Sequence, residues 1–343
     1  MDLSAMRSIS SRLRTSRQRL SKDRSASSEY QVSDDPKLLT EMMADIGRAD
    51  PLYQPTNYWA YYEKSFLPEL KRLGLTDFRR RRNSVLSSFG ATDEPPAGRV
   101  LFPWSDRATI AVNALLSKLS PLVELGADCR PSQVIRYFHR YVAQKFERIG
   151  WDLRQCPANR MGNPEVEEID GQLWSLAHLQ YCSMLADAAT TITFSDSMIV
   201  CELGIGLGRN IEVTARLFPK ATLLIFDIPP QLYVSNQYLS AVFGSRVIGY
   251  RDAVALEPAS GRLPAGTEGK IIVLPTWKMP AWSKTPVDVF WNSASFQEME
   301  PDVVLNYLGL VKSMAAKWVY INARPKGNPS NYADGEWRPG RGG

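Results

Sequence analysis

The chain has 343 residues with a formal net charge of +5, and hydrophobic residues make up 44% of it. These proportions are typical of a globular protein and exclude a wholly disordered or fibrous chain. The sequence has no apolar run of 18 residues or more, which argues against a helix that spans a membrane.

The positive charge is concentrated near the start of the chain. Residues 7–24 hold seven Lys or Arg residues and one Asp, a net charge of +6, so the rest carries about −1. Residues 1–35 are rich in Ser and Arg and predict a disordered basic tail. This tail could be solvated, contact a membrane surface or nucleic acid, or act as a transit peptide. The nearly neutral remainder predicts that nucleic acid is not a partner.

The cysteines carry no recognisable pattern of a disulfide framework or a zinc site. Cys129, Cys156, Cys182 and Cys201 form no C-x-x-C pair. Their spacing favours free thiols in a reducing, cytoplasmic compartment, and it assigns no metal ligands.

Residues 36–195 are predicted to form a helical region on the substrate side. Apolar residues recur at helical spacing in five segments, which are 36–46, 57–73, 106–125, 131–149 and 172–189. Residues 92–105 have the Pro and Gly content of a linker. Arg79, Arg80, Arg81 and Arg82 are adjacent in sequence; they indicate either a solvated face or a group that steers an anionic substrate.

Residues 196–325 alternate short apolar runs with amphipathic segments. The predicted strands are 198–203, 222–226, 271–274, 287–291 and 318–321, with a further candidate at 247–250; the intervening helices are 210–218, 231–243 and 301–314. Buried strands that alternate with helices predict an α/β fold with a doubly wound, mainly parallel sheet, here preceded by the helical N-terminal region. Residues 326–343 are polar and rich in Gly and Pro, and predict a flexible C-terminal tail.

A glycine-rich turn follows the first of these strands. Gly204, Gly206 and Gly208 give the spacing G-x-G-x-G, and Arg209 stands where a dinucleotide-binding fingerprint has its last glycine. Glu202 precedes the turn and disfavours a phosphate there. It suits a ligand that carries an amino group and a sulfonium.

An acidic residue ends the second strand, 19 residues after Gly208. A carboxylate at that place, Asp227, can accept hydrogen bonds from both hydroxyls of a ribose. Together these residues predict a site for S-adenosyl-L-methionine rather than a structural turn, formed by Glu202, Gly204, Gly206, Gly208, Asn210 and Asp227.

The turn resembles that of the class I S-adenosylmethionine-dependent methyltransferases. More narrowly, the chain from about residue 50 to 325 resembles the sugar O-methyltransferase family in four segments, Tyr58-Trp59, GLTDFR at 74–79, GNP at 162–164 and WNSASFQEM at 291–299. The resemblance implies methyl transfer from S-adenosylmethionine to a hydroxyl of a saccharide or glycosylated small molecule. The alternatives are a methyltransferase of another substrate and a non-catalytic cofactor-binding or interaction protein.

Further residues are candidates for the same site. Trp277 follows the strand at 271–274, where an adenine ring would lie, and it either stacks there or packs. Asn292 ends the next predicted strand, 287–291, and is predicted to line the methyl-transfer site.

His178 and Glu298 are the candidate catalytic bases. A sugar hydroxyl is a poor nucleophile, so a base is useful. The alternatives are core packing for His178 and an acidic residue in a favourable first turn for Glu298. His139 is interpreted as structural, and the sequence leaves the oligomeric state open.

Overall fold

The computed structural model describes residues 30–80, 131–259, 261–324, 327, 329–331 and 337–339. Almost all of the predicted basic tail, the linker at 92–105 and the helix at 106–125 therefore lie outside the described residues. Among the helices that are described, none is both long enough and apolar enough to cross a lipid bilayer.

Among the described residues, four α-helices and one hairpin precede the central sheet. They are α1 Pro36–Ile46, α2 Asn57–Leu73, α3 Pro131–Arg148, the strands β1 Glu167–Ile169 and β2 Gln172–Trp174, and α4 Leu176–Ala189. Local sequence sets several of their ends. The Asp35 carboxylate accepts a hydrogen bond from the Leu38 backbone N–H at 3.0 Å and caps α1. Gly74, with a φ of 55°, ends α2.

The helix predicted at 172–189 begins later than expected. Residues 172–174 instead pair antiparallel with Glu167–Ile169. The two residues between the strands, Asp170 and Gly171, both have positive φ angles, as a two-residue hairpin turn requires. Ser175 then caps α4, because its side chain accepts a hydrogen bond from the His178 backbone N–H.

Among the described strands, six form a parallel central sheet in the order β5-β6-β4-β3-β7-β8. These strands are β3 Ile199–Leu203, β4 Thr222–Asp227, β5 Val247–Ile248, β6 Ile271–Pro275, β7 Val289–Ser293 and β8 Trp318–Asn322. The prediction of an α/β fold with a mainly parallel sheet is confirmed. The strand order is compatible with a Rossmann-like fold.

Helices cover both faces of this sheet. They are α5 Arg209–Leu217, α6 Gln231–Phe243, α7 Tyr250–Ala253, α8 Met279–Trp282 and α9 Pro301–Ser313. Alternate strand residues enter different cores: Leu223 and Ile225 pack on the side of α5 and α6. Leu224 and Phe226 pack on the side of α8 and α9. This explains why the central strands read as continuous apolar runs.

The segment predicted as a flexible C-terminal tail contains regular structure. Strands β9 Pro329–Asn331 and β10 Trp337–Pro339 pair antiparallel in a two-stranded sheet of their own. They do not extend the central sheet, so among the described strands β8 lies at its edge.

Arg79 does not lie on a solvated face, which was one of the two interpretations of the arginine run. Its side chain is 2% exposed. Its Nη1 donates to the Met161 carbonyl and to the Tyr238 hydroxyl, at 3.2 and 3.1 Å. Arg79 therefore joins the helical region to α6, while Arg81 and Arg82 lie outside the described residues.

Candidate functional site

A cavity of about 270 Å³ lies at the carboxyl ends of the parallel strands. Its walls come from the loops that follow β3, β4, β6 and β7. The connection that leaves β3 and the connection that leads into β7 run on opposite sides of the sheet, so the neighbouring strands β3 and β7 form a topological switch point. Open parallel sheets bind ligands at such a point. Gln54, Thr56 and Trp59 from the N-terminal part of the chain line the same cavity.

The segment that carries Thr56 is tied to the sheet by side-chain hydrogen bonds. The Thr56 hydroxyl donates to the Glu298 carbonyl at 2.8 Å. The Thr276 hydroxyl donates to the Tyr53 carbonyl at 2.8 Å, and Asn57 Nδ2 donates to Glu300 Oε1 at 2.8 Å. These bonds hold the helical region over the strand ends as part of the cavity wall.

The three glycines of the turn have different roles. All have positive φ, and Gly204 and Gly206 line the cavity. Gly208 does not line it. A Cβ atom on Gly208 would lie 2.9 Å from Leu239 Cδ1, so this glycine allows α5 to approach α6.

Asp227 is buried in the cavity wall beside the turn. Its Oδ2 accepts a hydrogen bond from the Gly206 N–H and its Oδ1 accepts one from the Ile228 N–H, both at 2.8 Å. The residue is 7% exposed. Burial raises the pKa of its carboxyl to about 7, although the backbone N–H groups oppose the shift.

Glu202 and Asn210 lie next to the turn but do not line the cavity. Asn210 Nδ2 donates to Glu202 Oε2 at 2.8 Å, which links the end of β3 to the first turn of α5. Burial raises the pKa of Glu202 to about 8, and the charge of Asp227 adds to that shift. The geometry favours a role for this pair in supporting the turn.

Asn292 is also one layer behind the cavity surface. Its Nδ2 donates to the Leu203 carbonyl at 3.0 Å and to the Ser295 hydroxyl, and its Oδ1 accepts from the Phe296 N–H. Ser295, which Asn292 positions, does line the cavity. Trp277 is not among the lining residues, whereas its neighbour Thr276 is.

The structure separates the two candidate bases. Glu298 lines the cavity. His178 does not: it is 1% exposed, and its Nε2 lies 2.9 Å from the Cys156 carbonyl oxygen. His139 also lies away from the cavity lining, with its ring 4.8 Å from that of Trp174. Only Glu298 is therefore placed to touch a bound molecule.

Sequence reasoning missed several residues that line the cavity. Gln231 begins α6 and is 2% exposed, and both of its side-chain amide atoms lack a hydrogen-bond partner among the described atoms. The sequence could have indicated this residue, because Gln231 follows Asp227 by four positions. Arg209 and Tyr181 were not predicted from the sequence as ligand-binding residues. Both line the cavity, as does Trp59.

The cavity thus combines a buried carboxylate, a glycine turn, a buried amide and the aromatic side chains of Trp59, Tyr181 and Tyr307. A buried amide with unpaired donor and acceptor atoms gains from a polar ligand that pairs with both. Hydroxyl groups suit the carboxylate, and flat or ring-shaped groups suit the aromatic side chains. These residues fit a nucleoside with a polar second ligand.

Comparisons with protein-family models, with curated proteins and with solved structures found no match to this chain.

Proposed function

We propose that this protein is an S-adenosylmethionine-dependent O-methyltransferase that acts on a hydroxyl of a saccharide or sugar-bearing metabolite. The observation that carries the proposal is the meeting of Asp227 with the Gly204–Gly206 turn in one cavity at the switch point of the sheet. The resemblance of the sequence motifs to the sugar O-methyltransferase family supports the choice of acceptor.

The residues on the sheet side of the cavity would hold the cofactor. The Asp227 carboxylate would accept hydrogen bonds from the ribose hydroxyls, and the glycine turn would admit the ligand against the backbone. The Gln231 amide supplies a buried donor and acceptor in the same cavity. The Arg209 guanidinium supplies a positive charge for the amino-acid carboxylate. When bound, S-adenosylmethionine supplies an electrophilic methyl group on a sulfonium.

The residues toward the N-terminal segment would hold the acceptor. Trp59 and Tyr181 would pack against a sugar ring, and Glu298 lines the same cavity. Glu298 would accept the proton of the acceptor hydroxyl as that oxygen becomes a nucleophile. Thr56 fixes the backbone of Glu298 through the bond to its carbonyl oxygen.

Most of the rate enhancement in this scheme comes from positioning. Two molecules held in one cavity react as neighbours, and a base within reach of the hydroxyl removes its proton without help from bulk water. The hydrogen bond between Thr56 and Glu298 contributes to this positioning, because it fixes the residues that would hold the acceptor to the sheet that would hold the cofactor.

Calorimetry followed by a transfer assay tests the proposal. The full chain should bind S-adenosylmethionine and S-adenosylhomocysteine, and should bind NAD far more weakly. It should then transfer a labelled methyl group to at least one member of a panel of mono- and oligosaccharides. Failure to bind either adenosyl compound would refute the cofactor assignment. Binding with no transfer to any acceptor would instead favour a non-catalytic cofactor-binding protein.

A further inference from the structure

A buried group of three side chains lies outside the cavity. Cys156 follows the short 3-10 helix at Leu153–Gln155, while His178 and Cys182 are one helical turn apart on α4. One ligand atom from each side chain lies within 4.8 Å of the others, and all three residues are buried. Nothing in the proposed methyl transfer uses them.

The two distances from Cys156 Sγ to the other ligands match those of a tetrahedral metal site. The two sulfur atoms, Cys156 Sγ and Cys182 Sγ, are 3.8 Å apart. Cys156 Sγ is 3.7 Å from His178 Nε2. With zinc–sulfur bonds of about 2.3 Å and zinc–nitrogen bonds of about 2.0 Å, tetrahedral geometry separates two sulfurs by about 3.8 Å and a sulfur from a nitrogen by about 3.5 Å.

A carboxylate stands on the other side of the histidine ring. Glu212 Oε2 lies 3.9 Å from His178 Nδ1. Glu212 is itself held by Asn159 Nδ2 at 2.7 Å and by Arg216 Nε at 3.0 Å. A carboxylate that faces the non-ligating nitrogen is the usual outer partner of a metal-bound histidine, because it fixes the ring and its tautomer.

We propose that Cys156, Cys182 and His178 bind a zinc ion. Two thiolates and one neutral imidazole balance the charge of Zn²⁺, so that the buried site carries no net charge. Binding releases the two thiol protons to solvent, and the metal replaces the proton on His178 Nε2 while Nδ1 carries the ring proton toward Glu212. The group has three such side chains among the described residues, so a backbone carbonyl or a water molecule takes the fourth position.

The proposed zinc joins three parts of the fold. It connects the loop at Cys156 to α4, and the Glu212 carboxylate extends the connection to α5. Helix α5 begins directly after the glycine turn, so the metal braces the helix that carries the turn. The site does not depend on the proposed methyltransferase function, and its role is structural.

Metal analysis of the purified full chain tests the proposal. The chain should be produced without a histidine tag, and elemental analysis and native mass spectrometry should find about one zinc ion per chain. Cys182→Ser should lose the zinc, whereas Cys201→Ser should keep it. Cys201 is the matched control, because it is an equally buried free cysteine outside the group. Wild-type protein without zinc, with free thiols or with a Cys156–Cys182 disulfide, would overturn the proposal.

Cobalt substitution gives a second readout on the wild-type chain, which matters if Cys182→Ser does not fold. Zinc removed by a chelator and replaced by Co²⁺ should produce the absorption bands of a tetrahedral cobalt site with thiolate ligands. A cobalt spectrum of octahedral, oxygen-rich character, or no change in spectrum, would contradict the assigned ligands. Removal of zinc should also lower the melting temperature of the wild-type chain.

Discussion

At the scale of single residues, Asp227 is the side chain that most directly links the glycine turn to the cavity. Asp227→Ala should weaken S-adenosylmethionine binding by about 1–3 kcal/mol, roughly 5- to 150-fold in Kd, because ribose hydroxyls lose their acceptor. Titration calorimetry measures this directly. Asp302→Ala, at an exposed carboxylate in the first turn of α9, is the control and should bind normally. An unchanged Kd for Asp227→Ala would remove the ribose assignment.

Glu298 is the residue to which the proposed mechanism gives the proton. Glu298→Gln keeps the shape of the side chain and removes its basicity, so kcat should fall by about 100- to 10,000-fold. The Kd for S-adenosylmethionine should stay close to the wild-type value, since Glu298 is assigned to the acceptor side. Steady-state kinetics with a saccharide acceptor and calorimetry separate the two effects.

His139→Ala serves as the control for Glu298→Gln. His139 is half-buried and lies away from the cavity, so its loss should leave kcat near the wild-type value. Wild-type turnover by Glu298→Gln would mean that another group takes the proton or that positioning alone is sufficient.

At the scale of elements, the turn after β3 depends on its packing against the loop after β7. A Cβ atom on Gly204 would lie 2.3 Å from both Cβ and Oγ of Ser295, and the φ of Gly204 is +77°. Gly204→Ala should therefore destabilise the fold by about 2–4 kcal/mol, the sum of a positive-φ penalty and a displaced serine. Denaturant unfolding measures the change.

A double-mutant cycle tells these two causes apart. Ser295→Gly removes the atoms that a Cβ at position 204 would meet, so it should offset part of the loss in the Gly204→Ala background. The expected coupling is about 1–3 kcal/mol. Additive effects of the two changes would show that the strained backbone alone explains the loss.

The elements also show which kinds of structure the sequence could predict. Strands β4 and β6 are buried on both faces, so the apolar runs at 222–226 and 271–274 were long enough to predict them. The hairpin before α4 was missed because each strand has only three residues. The Asp170-Gly171 pair is a strong local signal of a hairpin turn. The predicted helix instead began at residue 172, too early by four residues.

At the scale of the whole molecule, the site is assembled from segments that are distant in sequence. Thr56 and Glu298 are 242 positions apart, and Arg79 and Tyr238 are 159 apart. Motif reasoning found the turn and Asp227, because strand, glycines and acid follow one another locally. It could not separate His178 from Glu298, since only the tertiary structure decides which of them meets the cavity.

The two buried acids beside the turn should make stability depend on pH. Burial raises the pKa of Asp227 to about 7 and that of Glu202 to about 8, above the ordinary values of 3.8 and 4.5. The folded state then binds more protons than the unfolded state between about pH 4 and pH 8. Their contribution to stability is complete below about pH 4 and is lost as the pH rises through 7 and 8.

The affinity for S-adenosylmethionine should rise with pH, whereas the contribution of these acids to stability falls. Ribose hydroxyls need an ionised Asp227, and a sulfonium favours ionised acids nearby, so bound S-adenosylmethionine should lower both pKa values and release protons. Affinity should therefore rise between about pH 6 and pH 8. Calorimetry in two buffers of different ionisation enthalpy measures the released protons, and Asp227→Asn should release fewer and flatten the profile. A Kd that is constant over this range, with no proton release, would show that the cofactor does not contact the Asp227 carboxyl group.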